Sequence, residues 1–93
     1  MPIKSCTLNG NAMRSLDDFY DRISILKDMP QHFGRNLDAL RDVLSTDVEG
    51  PFEIIWRKAD ASKKLMGNDF DRVVKLLRDL EEERADFKLK INL

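Results

Sequence analysis

A chain of 93 residues with 16 basic and 17 acidic side chains, a formal charge of −1 and one cysteine suits one domain with one modest core, and lacks the charge excess of a general nucleic-acid binder. The lone Cys6 excludes an intramolecular disulfide and fits a reducing compartment. No segment approaches the roughly 20 apolar residues of a membrane span, and Met-Pro-Ile-Lys-Ser-Cys at the start has no signal-peptide core, so the expected location is the cytoplasm.

The first expected element is a strand over Ile3 to Leu8, ended by the turn pair Asn9-Gly10. Ser15 then opens a helix: its hydroxyl caps the first turn, Asp17 and Asp18 suit the positive end of the helix dipole, and Leu16, Phe19, Tyr20, Ile23 and Leu26 recur at helical spacing. Pro30 disfavours the α conformation at Met29, so this helix is expected to stop near Lys27 or Asp28. Gly34 leads into a second helix from about Gly34 or Arg35 to Ser45, with Leu37, Leu40 and Leu44 on one arc and Asp38 and Asp42 on a stripe across from them. Like charges four residues apart cost an isolated helix about 0.2–0.5 kcal/mol, so the aspartates point to a role other than helix stability.

Gly50-Pro51 marks the turn into a strand, Phe52 to Arg57, where Phe52, Ile54 and Trp56 face one way and Glu53 and Arg57 the other, Ile55 being the exception. Ala59 to Met66 reads as a short helix broken at Gly67-Asn68. A longer helix follows from Asp69 to Arg84, with Phe70, Val73, Val74, Leu77 and Leu80 in register, Leu76 on the flank and Asp79, Glu82 and Glu83 on the polar face. Phe87 to Leu93 alternates apolar and polar residues, as in a strand wet on one face. Strands separated by helices imply parallel pairing, and the lysines of the last strand imply one open face. The expected fold is a single small two-layer α/β domain spanning residues 1–93, a three-stranded parallel sheet with helices mainly on one face.

Few residues here have the makings of catalysis. Cys6, His32 and Asp38 supply the residue types, but Cys6 lies in the first strand away from the others, and no His-x-x-x-His or similar metal spacing occurs. Cys6 and Trp56 read as core residues. Arg57, Lys58, Lys63 and Lys64 form a basic cluster, yet without interleaved aromatics it is weak support for direct nucleic-acid binding. Neither a catalytic residue, a metal nor a cofactor is expected, and Met29 to Leu44 reads as a recognition segment.

That segment, Pro30-Gln31-His32-Phe33-Gly34-Arg35-Asn36-Leu37-Asp38-Ala39-Leu40 with Asp42 and Leu44, resembles the barstar-like family, intracellular inhibitors of a secreted microbial ribonuclease. The resemblance extends over nearly the whole chain: Asn9-Gly10 follows the first strand, Pro51 begins a strand closing on Trp56-Arg57, and Ser62-Lys63 and Leu65 fall in the expected helix. It implies a ribonuclease inhibitor, monomeric when free, that plugs the nuclease active site with the acidic helix and the loop before it. By position, Asp42 matches the acidic residue that stands in for an RNA phosphate, Asp38 a second acidic contact, His32 an aromatic contact in the loop, and Asp79 a further carboxylate on the later helix. The implied partner-binding set is His32, Phe33, Asn36, Asp38, Arg41, Asp42, Thr46 and Asp79. Arg41 departs from the family, which has a large aromatic there, and Arg35 replaces an acidic position. The alternative reading is a barstar-fold interaction module with another protein partner and no ribonuclease inhibition.

Overall fold

The computed structural model describes residues 4–25, 34–46, 48 and 50–92. Strand β1, Lys4–Asn9, runs into a single 3₁₀ turn, Gly10–Ala12, and helix α1, Leu16–Ile23. Helix α2, Leu37–Thr46, precedes strand β2, Phe52–Arg57, followed by α3, Ala59–Met66, α4, Asn68–Glu83, and β3, Phe87–Ile91. The strands form one parallel sheet in the order β1-β2-β3. Cys6 pairs in register with Ile54, and Ile54 with Leu89.

The period of two decides which face is covered. Cys6, Leu8, Phe52, Ile54, Trp56, Phe87 and Leu89 are buried beneath the helices, while Ser5, Thr7, Asn9, Lys88 and Lys90 stay exposed. Helices on one face of a parallel sheet are therefore what the structure shows, as the alternation of β3 implies. The open face is polar and tied together: the Ser5 hydroxyl donates to Glu53 at 2.8 Å and Lys90 lies 3.1 Å from the same carboxylate. These two neighbours hold the Glu53 carboxyl below the usual carboxylate range, the serine hydrogen bond contributing most. Ile55 is half-buried on this side, the exception its pattern gave.

Trp56 is the centre of the core. Its ring stacks on Phe19 with centroids 5.6 Å apart and meets the edge of Phe70 at 5.0 Å. Burying an indole N–H requires an acceptor, and Ser62 supplies it: Trp56 Nε1 donates to Ser62 Oγ at 2.9 Å, which donates onward to the Gly10 carbonyl at 3.0 Å. The chain links β2, α3 and the turn after β1. Gly10 is required there, because a Cβ on it would stand 1.9 Å from the Lys58 carbonyl oxygen.

Both sheet edges are engaged by side chains. Arg22 Nε donates to the Thr7 carbonyl at 3.1 Å on β1. On β3 the Leu89 N–H donates to Glu81 Oε2 at 2.9 Å, and Arg78 donates to the Leu89 carbonyl at 3.3 Å. Occupying edge backbone groups in this way discourages pairing with a second chain.

Two helix boundaries differ from the pattern-based expectation. Helix α1 ends at Ile23, short of the expected Lys27 or Asp28, which lie outside the described residues, because the Ser24 hydroxyl competes for the Tyr20 carbonyl at 2.6 Å and the Ile25 N–H donates to the Arg22 carbonyl, three residues back, at 3.4 Å. Helix α2 starts at Leu37 rather than Gly34 or Arg35, because Arg35 takes a left-handed φ of 51°. The other expected elements are present within a residue or so, including α3, except that β3 stops at Ile91 and Leu93 lies outside the described residues; Ser15 caps α1 by accepting from the Asp18 N–H at 3.3 Å. Among the described residues no helix is long and apolar enough to cross a membrane.

Candidate functional site

Helix α2 is held at both ends. At its start Asn36 is the N-cap: its Oδ1 accepts the Ala39 N–H at 2.8 Å, and its amide donates to the Gly34 carbonyl at 3.2 Å. The strained φ at Arg35 is compensated by its side chain, which lies 2.9 Å from Asp21 and 3.8 Å from Asp17, donates to the Asp17 carbonyl at 3.2 Å, and sits over the Tyr20 ring at 5.8 Å. Arg35 thus clasps the entry of α2 to α1.

At the other end Arg84 donates to the carbonyls of Leu44 and Val48, at 2.7 and 2.8 Å. Carbonyls of a last helical turn lack intrahelical donors, and a guanidinium satisfies them while complementing the negative end of the helix. The same side chain is only 17% exposed, pairs with Asp86 at 2.8 Å and lies over the Phe52 ring at 5.0 Å. Arg84 holds the Asp86 carboxyl below its ordinary range, chiefly through its hydrogen bonds to it. Pattern reading missed Arg84, and nothing local to it signals the role, since its acceptors lie 40 and 36 residues away.

Between these ends α2 divides by face. Leu40, Val43 and Leu44 are buried and Leu37 half-buried, while Asp38 and Asp42 are exposed. Among the described residues neither aspartate carboxylate has an ion pair or hydrogen bond. The Thr46 hydroxyl donates to the Asp42 carbonyl at 2.8 Å within the last turn. Arg41 leans the other way: it is partly buried and forms an ion pair with Glu83 of α4. Asp79, four residues before Glu83, shares that stripe of α4 beside α2 and pairs with Lys75 at 3.0 Å. His32 and Phe33 lie outside the described residues. Of the sequence-derived set, Asn36, Asp38, Arg41, Asp42 and Thr46 are therefore gathered on α2 and its cap, with Asp79 on the adjoining helix.

The electrostatic result is an acidic stripe. Both arginines that interrupt the acidic pattern in sequence are neutralised by neighbouring helices, Arg35 by α1 and Arg41 by α4. The two aspartates remain available to a cationic partner. Cys6, by contrast, is buried, and burial pushes its thiol up from the ordinary range, with Arg22 opposing only in part. A buried thiol of raised pKa is poorly nucleophilic. No cluster of three metal-ligating side chains occurs among the described residues.

Residues 3–93 match a family model described as Barstar (barnase inhibitor). The chain is also similar to the Bacillus subtilis (strain 168) protein named "Putative ribonuclease inhibitor YrdF", with 28% identity over 90 residues, covering 96% of this chain and 99% of that protein.

Proposed function

Because this chain belongs to the barstar family, we propose that it inhibits a small extracellular-type ribonuclease by occluding the nuclease active site with α2 and the loop before it. Ribonuclease inhibition in general is supported by the family description and by the name of the YrdF relative. The mode of binding rests on one observation: Asp38 and Asp42 stand exposed and unpaired among the described residues, on a helix pinned at both ends.

In this reading Asp42 occupies the place of an RNA phosphate opposite the nuclease's cationic groups, and Asp38 makes a second contact one helical turn earlier. His32 and Phe33 contribute from the segment before α2, Asn36 and Thr46 from the ends of α2, Arg41 from its side facing α4, and Asp79 from α4. Occlusion needs no nucleophile or proton transfer, and the chain acts as an inhibitor rather than an enzyme. Pinning α2 in the free protein lowers the ordering cost of binding, which favours affinity. With a formal charge of only −1, steering at long range is weak, so recognition depends on the local stripe. The compartment proposed is the reducing cytoplasm. Titration of the protein into a panel of secreted guanyl-specific ribonucleases, following RNA cleavage, tests the reading. Stoichiometric loss of cleavage for at least one nuclease is expected, and full activity of every nuclease at micromolar inhibitor would overturn it.

A further inference from the structure

At the carboxyl ends of β1 and β2 lies a cleft of about 540 Å³ that the inhibitory reading leaves unused. Arg22, Arg57 and Lys58 line it together with Thr7, Asn9 and Asn11, and Ala12 and Met13 add an apolar patch. No carboxylate is among these lining residues. We propose that this cleft binds a small phosphate ester of mononucleotide size.

The backbone that carries Arg57 and Lys58 is fixed by the fold. Asn9 pairs with Arg57 in the sheet register, and the 3₁₀ turn packs so closely on the end of β2 that Gly10 has no room for a Cβ against the Lys58 carbonyl. The Ser62 hydroxyl, itself fully buried, locks the turn by donating to the Gly10 carbonyl. Arg57 and Lys58 form no ion pair among the described residues, whereas Lys63 nearby in sequence is matched by Asp71 at 2.7 Å. Arg22 spends its Nε on the Thr7 carbonyl, which leaves its terminal nitrogens for a ligand. Like charges gathered without a counter-charge repel, and an anion in the cleft relieves that repulsion.

Lys58 carries a second indication. Two described residues other than glycine have a left-handed φ, Arg35 at 51° and Lys58 at 54°. Glycine holds such a conformation at lower cost, so a long cationic side chain there calls for a reason in the side chain itself. For Arg35 the reason is visible in Asp21 and Tyr20. For Lys58 no protein partner fills that role among the described residues, and the residue lines the cleft.

The volume falls within the roughly 300–1,000 Å³ usual for small-molecule sites. No aromatic ring lines it, which disfavours the stacked bases of a single-stranded RNA track. The test is an amide chemical-shift titration of the labelled protein with adenosine 5′-monophosphate, inorganic phosphate, adenosine and an RNA hexamer. Adenosine 5′-monophosphate is expected to give saturating shifts over 7–13 and at 57 and 58, inorganic phosphate weaker ones at the same amides, and adenosine none. Arg57→Gln/Lys58→Gln is expected to weaken binding by about tenfold or more, and Lys58→Gly, which accepts the φ without strain, to keep the melting temperature while weakening binding. Absence of saturable shifts with either phosphate, equal shifts with adenosine, or unchanged affinity in the double variant would overturn the proposal. Hexamer binding more than about tenfold tighter than the mononucleotide would overturn it in favour of an RNA track. No ribonuclease enters the experiment, so its failure is separate from that of the inhibitory reading.

Discussion

Replacing Asp42 with alanine is expected to strengthen the fold and weaken the complex. In the free protein the Asp42 carboxylate is exposed, has no partner among the described residues, and lies four residues from Asp38 on the same stripe. Truncation removes a like-charge repulsion of about 0.2–0.5 kcal/mol and installs a better helix former, so a net gain near 0.5 kcal/mol is reasonable. For a domain of this size that corresponds to a rise of roughly 2–4 °C in melting temperature. In the proposed complex the same truncation would leave the nuclease's cations buried without a counter-charge. Removing one side of such a pair costs about 2–5 kcal/mol, a range that measurements on the barnase–barstar complex itself help define. This converts to roughly 30-fold to several-thousand-fold in Kd. Calorimetric titration against the responsive nuclease, with thermal melts of the free proteins, reads both quantities. Asp60→Ala, an exposed acidic change on α3, is the control and is expected to alter Kd by less than about threefold. If Asp42→Ala and Asp60→Ala had equal small effects on Kd, the acidic stripe would not be the contact surface.

Arg84→Ala is expected to lower stability by about 2–3 kcal/mol in denaturant melts, since it removes charged donors from the Leu44 and Val48 carbonyls and the partner of Asp86; Arg84→Lys should recover only part. Ser62→Ala strands the buried Trp56 N–H and the Gly10 carbonyl, at a cost of about 1–3 kcal/mol readable by the same melts. The Arg41–Glu83 pair is roughly half-exposed, 43% and 48%, so a double-mutant cycle on it is expected to return no more than about 1 kcal/mol. Glu81 is held below its ordinary 4.5, first by the Leu89 N–H and then by Arg78. Its ionised form therefore adds stability at pH above about 4.5, and that contribution fades as pH falls through the depressed value because the unfolded chain takes up the proton first. Glu81→Gln should flatten the acid limb of a stability-versus-pH curve, and an unchanged limb would contradict the assignment.

What the sequence disclosed follows the range of the interactions involved. Strand β2 was readable because alternation from Phe52 to Arg57 is local, and the expected limits match those observed. The leucine and aspartate arcs of α2 were readable for the same reason. The exit of α1 depends on Ser24 bonding back to Tyr20, a competition that apolar periodicity does not register. The entry of α2 depends on Arg35 holding a left-handed backbone through an ion pair to another helix. Arg41 adds a positive charge beside Asp38 and Asp42 in the motif, and its partner Glu83 is 42 residues away, beyond any local pattern. Asn36 lay within the motif, yet its capping bond to Ala39 gives it a structural reason as well. The basic cleft is only half legible in sequence, because Arg22 joins Arg57 and Lys58 only through the fold, while Lys63 of the sequence cluster is turned to Asp71.

Occlusion of the nuclease active site is tested most directly by the dependence of inhibition on substrate. With a fixed concentration of the responsive ribonuclease, cleavage is measured across a range of RNA and inhibitor concentrations. The account predicts an apparent inhibition constant that rises linearly with RNA concentration while the maximal rate stays unchanged. An inhibition constant independent of RNA, with a reduced maximal rate, would mean that inhibitor and substrate bind together, and would contradict it.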